Sequence, residues 1–126
     1  MQLVGMVKET GNINHWLEAS LTLITLTRQT IECVIDTGFR GELVLPRSFV
    51  TTIPFTRAGR ELFTLVGGEE MEAQVVLTEV IWLGQKRTVR VVIGESDDAL
   101  IGTQLLRGTR LVIDYVSSEV EISNAE

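Results

Sequence analysis

The chain has 126 residues, a length that suits one hydrophobic core, and we predict a single domain over residues 1–126. Its formal charge is -6 and its eleven lysines and arginines form no cluster, so we expect no electrostatic binding to nucleic acid or to a membrane surface. No apolar run approaches the roughly 18 residues that a membrane span requires.

Cysteine and histidine each occur once, as Cys33 and His15. An internal disulfide is therefore excluded, and no spacing of these residues resembles a zinc site, so we expect neither a metal nor another cofactor. The first residues lack the basic start and apolar block of a signal peptide. Because a lone thiol suits a reducing compartment, we predict a cytoplasmic protein. Cys33 is expected to be a small core or face residue of its strand, and His15 to lie in a loop.

Short runs rich in Val, Ile, Leu and Thr, separated by turns with glycine or asparagine, extend through the chain without helical periodicity. They predict strands over residues 3–7, 17–23, 31–35, 43–45, 61–66, 73–83, 88–93, 111–115 and 120–122. Short helices are predicted at 46–50 and 103–107, and a turn at 10–14. The alternation of the second run changes phase at Ile24, which predicts a bulge or bend between Leu23 and Thr25. The pattern as a whole predicts an all-β fold, closed or sandwich-like.

The triplet Asp36, Thr37 and Gly38 directly follows the run that ends at Ile35. A carboxylate just past a buried strand is costly to desolvate unless another group bonds it or shares its charge. Asp36 is therefore a candidate for chemistry, and the alternative is a turn residue that bonds its own backbone. Farther along, two consecutive glycines separate two strand-like runs and predict a hairpin with a flexible tip.

Three motifs in order carry a family resemblance: Val-Ile-Asp-Thr-Gly ending at Gly38, the glycine pair Gly67 and Gly68, and Leu-Ile-Gly-Thr-Gln-Leu-Leu starting at Leu100. This order resembles that of the retropepsin-like aspartic proteases, and looks closest to small single-domain microbial members with an Asp-Thr-Gly-Phe motif. The resemblance covers residues 3–122. It implies a small closed β-barrel that pairs as a homodimer, with one aspartate from each copy, and that hydrolyses a peptide or protein substrate.

The same resemblance implies roles for individual residues. Asp36 is the acid/base residue, the Thr37 hydroxyl bonds the opposite backbone across the dimer, and Gly38 leaves room for the substrate. Phe39 stands where many relatives have Ala or Ser, and we expect its ring to narrow the cleft. The remaining implied substrate contacts are the flap tip and a segment that lines side pockets: Val66, Gly67 and Gly68, and Leu100 and Ile101.

Each of these assignments has an alternative. Gly67 and Gly68 could form only a hairpin turn, and Leu100 and Ile101 could be pure core. The chain as a whole could be a catalytically silent dimeric peptide-binding module with the same fold. It could also be a β-rich interaction domain in which Asp36 is a turn residue.

Overall fold

The computed structural model describes residues 2–9, 17–64 and 67–124. Within these residues there are ten strands: β1 (Gln2–Glu9), β2 (Leu17–Thr25), β3 (Thr30–Ile35), β4 (Leu43–Pro46), β5 (Thr56–Thr64), β6 (Glu70–Trp82), β7 (Gln85–Gly94), β8 (Leu100–Ile101), β9 (Thr109–Asp114) and β10 (Glu119–Asn124). Two one-turn helices accompany them, α1 (Arg47–Val50) and α2 (Thr103–Leu106). The chain is thus mostly β-sheet, as predicted. The predicted turn at 10–14, His15 and Val66 lie outside the described residues.

The described strands hydrogen-bond in the order β5-β6-β7-β4-β8-β3-β2-β1-β10-β9. A further antiparallel pairing joins β2 to β6, with Ile24 opposite Ile81 and Thr25 opposite Val80. The strands from β6 to β2 therefore form a closed circuit of pairings, from which β5 extends on one side and β1, β10 and β9 on the other. The main core lies within this arrangement and includes fully buried Leu43, Ile101 and Leu105.

Cys33 belongs to this core, as its place in an apolar strand predicted. Its side chain is fully buried, and this desolvation, with a smaller contribution from the charge of Glu32, raises the pKa of the thiol to about 12. The thiol therefore stays protonated in the folded protein at neutral pH.

The predicted bulge near Ile24 was wrong. β2 pairs with β3 without a register shift from Ser20, opposite Val34, to Ile24, opposite Thr30. The strand keeps its alternation because Thr25, at 1% exposure, occupies the buried face and Ile24 the exposed one. The Thr25 hydroxyl is satisfied there by Gln29, whose backbone N–H donates to Thr25 Oγ1 at 3.1 Å. A hydrogen-bonded threonine can replace an apolar residue inside a core.

In the described part of the chain, no helix has the length and apolar character to cross a membrane.

Candidate active site

Asp36 lies where β3 ends against β8. The two strands run parallel, with Ile35 opposite Ile101, and the backbone N–H of Asp36 donates to the Ile101 carbonyl oxygen at 2.9 Å. The Asp36 carboxylate is half-buried, and its Oδ1 accepts the backbone N–H of Gly38 at 2.9 Å. No other donor among the described residues bonds this carboxylate.

The short strand β8 lies between the two strands that border the Asp36 loop. Leu100 is opposite Val34 of β3 in the parallel sense and opposite Val44 of β4 in the antiparallel sense. The loop of residues 36–42 therefore leaves the sheet on one side of β8 and returns on the other. This topology brings the first and third motifs of the sequence together.

Backbone hydrogen bonds fasten the loop to the segment that follows β8. The N–H of Thr103 donates to the Phe39 carbonyl oxygen at 2.8 Å, and the N–H of Gly102 donates to the Glu42 carbonyl oxygen at 2.9 Å. A third bond, of 3.1 Å, joins the N–H of Gln104 to the carbonyl oxygen of Gly41. These three bonds are all main chain, so they hold the loop by close contact between two backbone segments.

Glycine is required at position 102 because the loop leaves no space for a side chain. A Cβ there would lie 2.3 Å from the Gly41 carbonyl oxygen and 2.5 Å from the Phe39 ring. The Phe39 ring also covers Gly41, where a Cβ would lie 2.5 Å from the tip of the ring. The half-buried ring packs against an apolar cluster of Ala73, Val75 and Val92. Phe39 thus supports the loop, and its contact with a substrate stays a prediction.

Glu42 is a site residue that the sequence did not reveal. Its Oε2 pairs with Arg87 Nη2 at 2.9 Å, and its Oε1 accepts the backbone N–H of Arg90 at 2.9 Å. The Glu42 side chain is only 14% exposed. It therefore connects the end of the Asp36 loop to β7. The sequence signal for Glu42 was its position between a glycine and an apolar strand. Nothing in the sequence pointed to Arg87 as its partner.

Gly67 and Gly68 lie at the turn of the β5–β6 hairpin, whose last described pair is Thr64 opposite Glu70. Both glycines have a positive φ, of 103° and 88°. A Cβ on either glycine would meet no described atom within 4 Å. The hairpin and the Asp36 loop are linked through the apolar cluster, since Phe63 of β5 packs against the same residues as Phe39. The flap function of this hairpin stays a prediction.

Leu100 and Ile101 differ in their surroundings. Ile101 is fully buried in the main core, which fits the alternative that it serves packing. Leu100 is half-buried.

Thr37 and Gly38 are exposed beside Asp36, so the loop faces outward from a single chain. The described residues include no group of three or more His, Cys, Asp or Glu side chains placed to hold a metal ion.

Comparison with known proteins gives one finding on the fold. No family model matches the chain, and no curated protein matches it. Among solved structures, the chain is similar to the foamy viral protease-reverse transcriptase in complex with an RNA/DNA hybrid, with a TM-score of 0.52 and 16% sequence identity. The match covers 69% of this chain and 11% of that chain. The likeness is one of fold. It indicates a retroviral protease-like fold, in agreement with the coarser part of the family resemblance.

Proposed function

We propose that this chain is an aspartic endopeptidase that acts as a homodimer, with one Asp36 from each subunit. The observation that carries the proposal is Asp36 itself, a half-buried residue on a loop held by main-chain hydrogen bonds, whose Oδ2 bonds no donor among the described residues. The likeness in fold to a viral protease-reverse transcriptase supports it. On this proposal, the closed circuit of strands is a small barrel of the retropepsin type.

The proposed chemistry needs two acids at hydrogen-bond distance. Two neighbouring carboxylates cannot both ionise cheaply, so they share one proton. The ionised carboxylate takes a proton from a water molecule, whose oxygen attacks the peptide carbon, while the protonated carboxyl donates its proton to the carbonyl oxygen. The carboxyl that received the water proton then donates it to the amine nitrogen as the C–N bond breaks, and the other carboxylate takes a proton from a hydroxyl of the tetrahedral intermediate. The two titrations belong to the pair rather than to either subunit.

The other predicted residues have supporting roles in this proposal. Thr37 bonds the backbone of the opposite subunit and holds the two loops rigid, and Gly38 lets the substrate backbone approach. The β5–β6 hairpin, with Gly67 and Gly68 at its tip, closes over a bound peptide and excludes water. No metal or cofactor takes part in this chemistry, and we propose a cytoplasmic location.

A rival function is supported by the bond between Asp36 and Gly38. A carboxylate that accepts the N–H two residues ahead is also what a turn aspartate does. A dimeric module that binds peptides without cleaving them would keep this bond and the same fold.

Cleavage of a diverse synthetic peptide mixture, followed by mass spectrometry over mildly acidic to neutral pH, tests the proposal. The wild-type chain should produce fragments, and Asp36→Asn should lower the rate by at least about 100-fold because it removes the acid/base group. Asp97→Asn is the matched control, since Asp97 lies in an exposed loop. Equal cleavage by wild type and Asp36→Asn would contradict the proposal, and binding without cleavage by the wild type would favour the rival.

A further inference from the structure

The strand β9 forms one end of the sheet. Within the described residues it pairs with β10 and with no other strand, so the main-chain groups on its other side are unpaired. An edge of this kind is a template for another strand unless it is blunted. The opposite end, β5, is blunted by a register shift between Arg57 and Arg60. β9 has no such irregularity from Thr109 to Asp114.

The side chains of β9 alternate in character along the strand. Leu111 and Ile113 are half-buried on the inner face. Arg110, Val112 and Asp114 are exposed on the outer face, with Val112 at 49%. The exposed apolar residue is thus flanked by one cation and one anion, each two positions away.

Acidic residues crowd the outer face of this end of the sheet. Asp114 is directly opposite Glu119 of β10, and Val112 is opposite Glu121. Like charges in directly opposed positions destabilise an antiparallel pair. Asp114 Oδ1 accepts the backbone N–H groups of Val116 and Ser117, at 2.8 and 3.2 Å, but no ion pair within the described part of the chain involves Asp114, Glu119 or Glu121. A cation placed beside Asp114 would relieve this repulsion.

A second copy of β9 supplies that cation. When two copies run antiparallel about a twofold axis at Val112, Arg110 lies opposite the partner's Asp114 and Val112 lies opposite the partner's Val112. On the inner face, Leu111 then lies opposite the partner's Ile113. A shift by one residue would mix the two faces, and a shift by two would place a charged residue opposite Val112. Only this register matches charge with charge and apolar with apolar side chains.

We propose that the β9 edge binds a second copy of this chain, so that β1, β10 and β9 continue across a twofold axis into the same strands of the partner. The proposal rests on the proposed function, since the site of one chain is incomplete without a second Asp36. The segment from Thr103 to Thr109 joins the two regions: Thr103 bonds the Asp36 loop at Phe39, and Thr109 Oγ1 donates to the Leu106 carbonyl oxygen at 2.5 Å. A partner held at β9 is thus coupled to the loop through α2.

A cysteine on the twofold axis tests the register. Val112→Cys in the full chain, under mild oxidation, should run at twice 14.0 kDa on a non-reducing gel. Directly opposed Cα atoms lie about 4.5–5.5 Å apart, which is within disulfide range. Arg110→Cys is the matched control on the same face, because in this register its two copies lie roughly 13 Å apart. Native Cys33 is fully buried and does not interfere. No cross-link in Val112→Cys, or an equally fast one in Arg110→Cys, overturns the proposal.

Charge exchange tests the pairing of Arg110 with Asp114. Arg110→Glu and Asp114→Lys each place like charges opposite one another, so each variant alone should dimerise at least about tenfold more weakly in sedimentation. An equimolar mixture brings the introduced acid opposite the introduced lysine and should dimerise like the wild type. A mixture no better than either variant overturns the proposal. Asp114 Oδ1 also accepts the N–H of Val116 at 2.8 Å, so if Asp114→Lys fails to fold, the cysteine pair decides.

Failure of this proposal is distinguishable from failure of the proposed function. Asp36-dependent cleavage that persists unchanged in a dimeric Arg110→Glu variant overturns the interface and leaves the peptidase. A cross-linked Val112→Cys dimer that cleaves no peptide supports the interface and contradicts the peptidase.

Discussion

The backbone N–H of Asp36 donates to the carbonyl oxygen of Ile101 at 2.9 Å, and this bond joins the first motif of the chain to the third. The strand β8, which contains Ile101, separates the outgoing and returning ends of the Asp36 loop. The geometry of the carboxylate therefore depends on how closely two main-chain segments approach. Substitutions that disturb this approach should affect the site more than changes to exposed side chains do.

Glu42→Ala should lower the free energy of unfolding by about 2 kcal/mol, because it removes a charged acceptor from Arg87 and from the N–H of Arg90. Glu42→Gln should cost about half as much, since its amide oxygen still accepts from Arg90. Urea denaturation at neutral pH measures both values.

Glu95→Ala is the control for the Glu42 variants. Glu95 also pairs with an arginine, Arg47, but its side chain is 74% exposed. Exposed ion pairs add little to stability, so we expect no resolvable change. An equal loss in Glu42→Ala and Glu95→Ala would show that the Glu42 carboxylate does not anchor the loop.

Gly102→Ala should destabilise the protein by about 1–3 kcal/mol, because its Cβ overlaps the Gly41 carbonyl oxygen and the Phe39 ring. Adding Phe39→Ala should restore only part of this loss, because the overlap with the backbone remains. Thermal or chemical denaturation of the single and double variants checks the prediction. Full rescue by Phe39→Ala would mean that the ring alone excludes a side chain at this position.

Cys33 should make the protein less stable above pH 9. The reference pKa of a cysteine thiol in an unfolded chain is 9.0, and the pKa of Cys33 in the folded protein is about 12. A raised folded pKa contributes stability that is fully present below pH 9 and is lost as the pH rises toward 12, because only the unfolded thiol ionises. The unfolding free energy of wild type should fall relative to Cys33→Ala by up to about 1.4 kcal/mol per pH unit in this range. Parallel pH profiles for the two proteins would contradict the burial of the thiol.

The hairpin tip can be tested with alanine at glycines of positive φ. Gly68 has a φ of 88°. Gly68→Ala should lower kcat/KM several-fold, because the strained tip no longer closes correctly on a peptide. Gly84, with φ of 79°, lies in the turn between β6 and β7 and is the matched control. Gly84→Ala should lower the unfolding free energy by roughly 1 kcal/mol and leave kcat/KM unchanged. Equal effects of the two variants on kcat/KM would count against a flap.

The sequence predicted the local features of this fold well. Alternation and turn residues located the strands on either side of Asp36 and the β5–β6 hairpin. The prediction of a bulge at Ile24 was wrong. An apolar pattern does not show that Gln29 bonds Thr25, and this bond lets a threonine continue the buried face of the strand.

Long-range pairs were beyond the sequence. The ion pair of Glu42 with Arg87 exists because β4 runs parallel to β7, with Leu43 opposite Val91. No local pattern encodes that pairing. The position of the Phe39 ring over Gly41 and Gly102 likewise follows from the path of the loop around β8. The resemblance predicted a cleft contact for Phe39, and its packing against the cluster with Val75 emerged only in three dimensions.

Subunit mixing is the most direct test of the claim that two copies of Asp36 form one site. A fixed amount of wild-type chain is unfolded and refolded with an equal amount of Asp36→Asn, and peptide cleavage is measured. If each site needs an aspartate from both subunits, activity falls to about half, and to about a tenth with a ninefold excess of the variant. Asp97→Asn added in the same way should instead raise the activity. Activity that is unchanged by any excess of Asp36→Asn would contradict the two-subunit site.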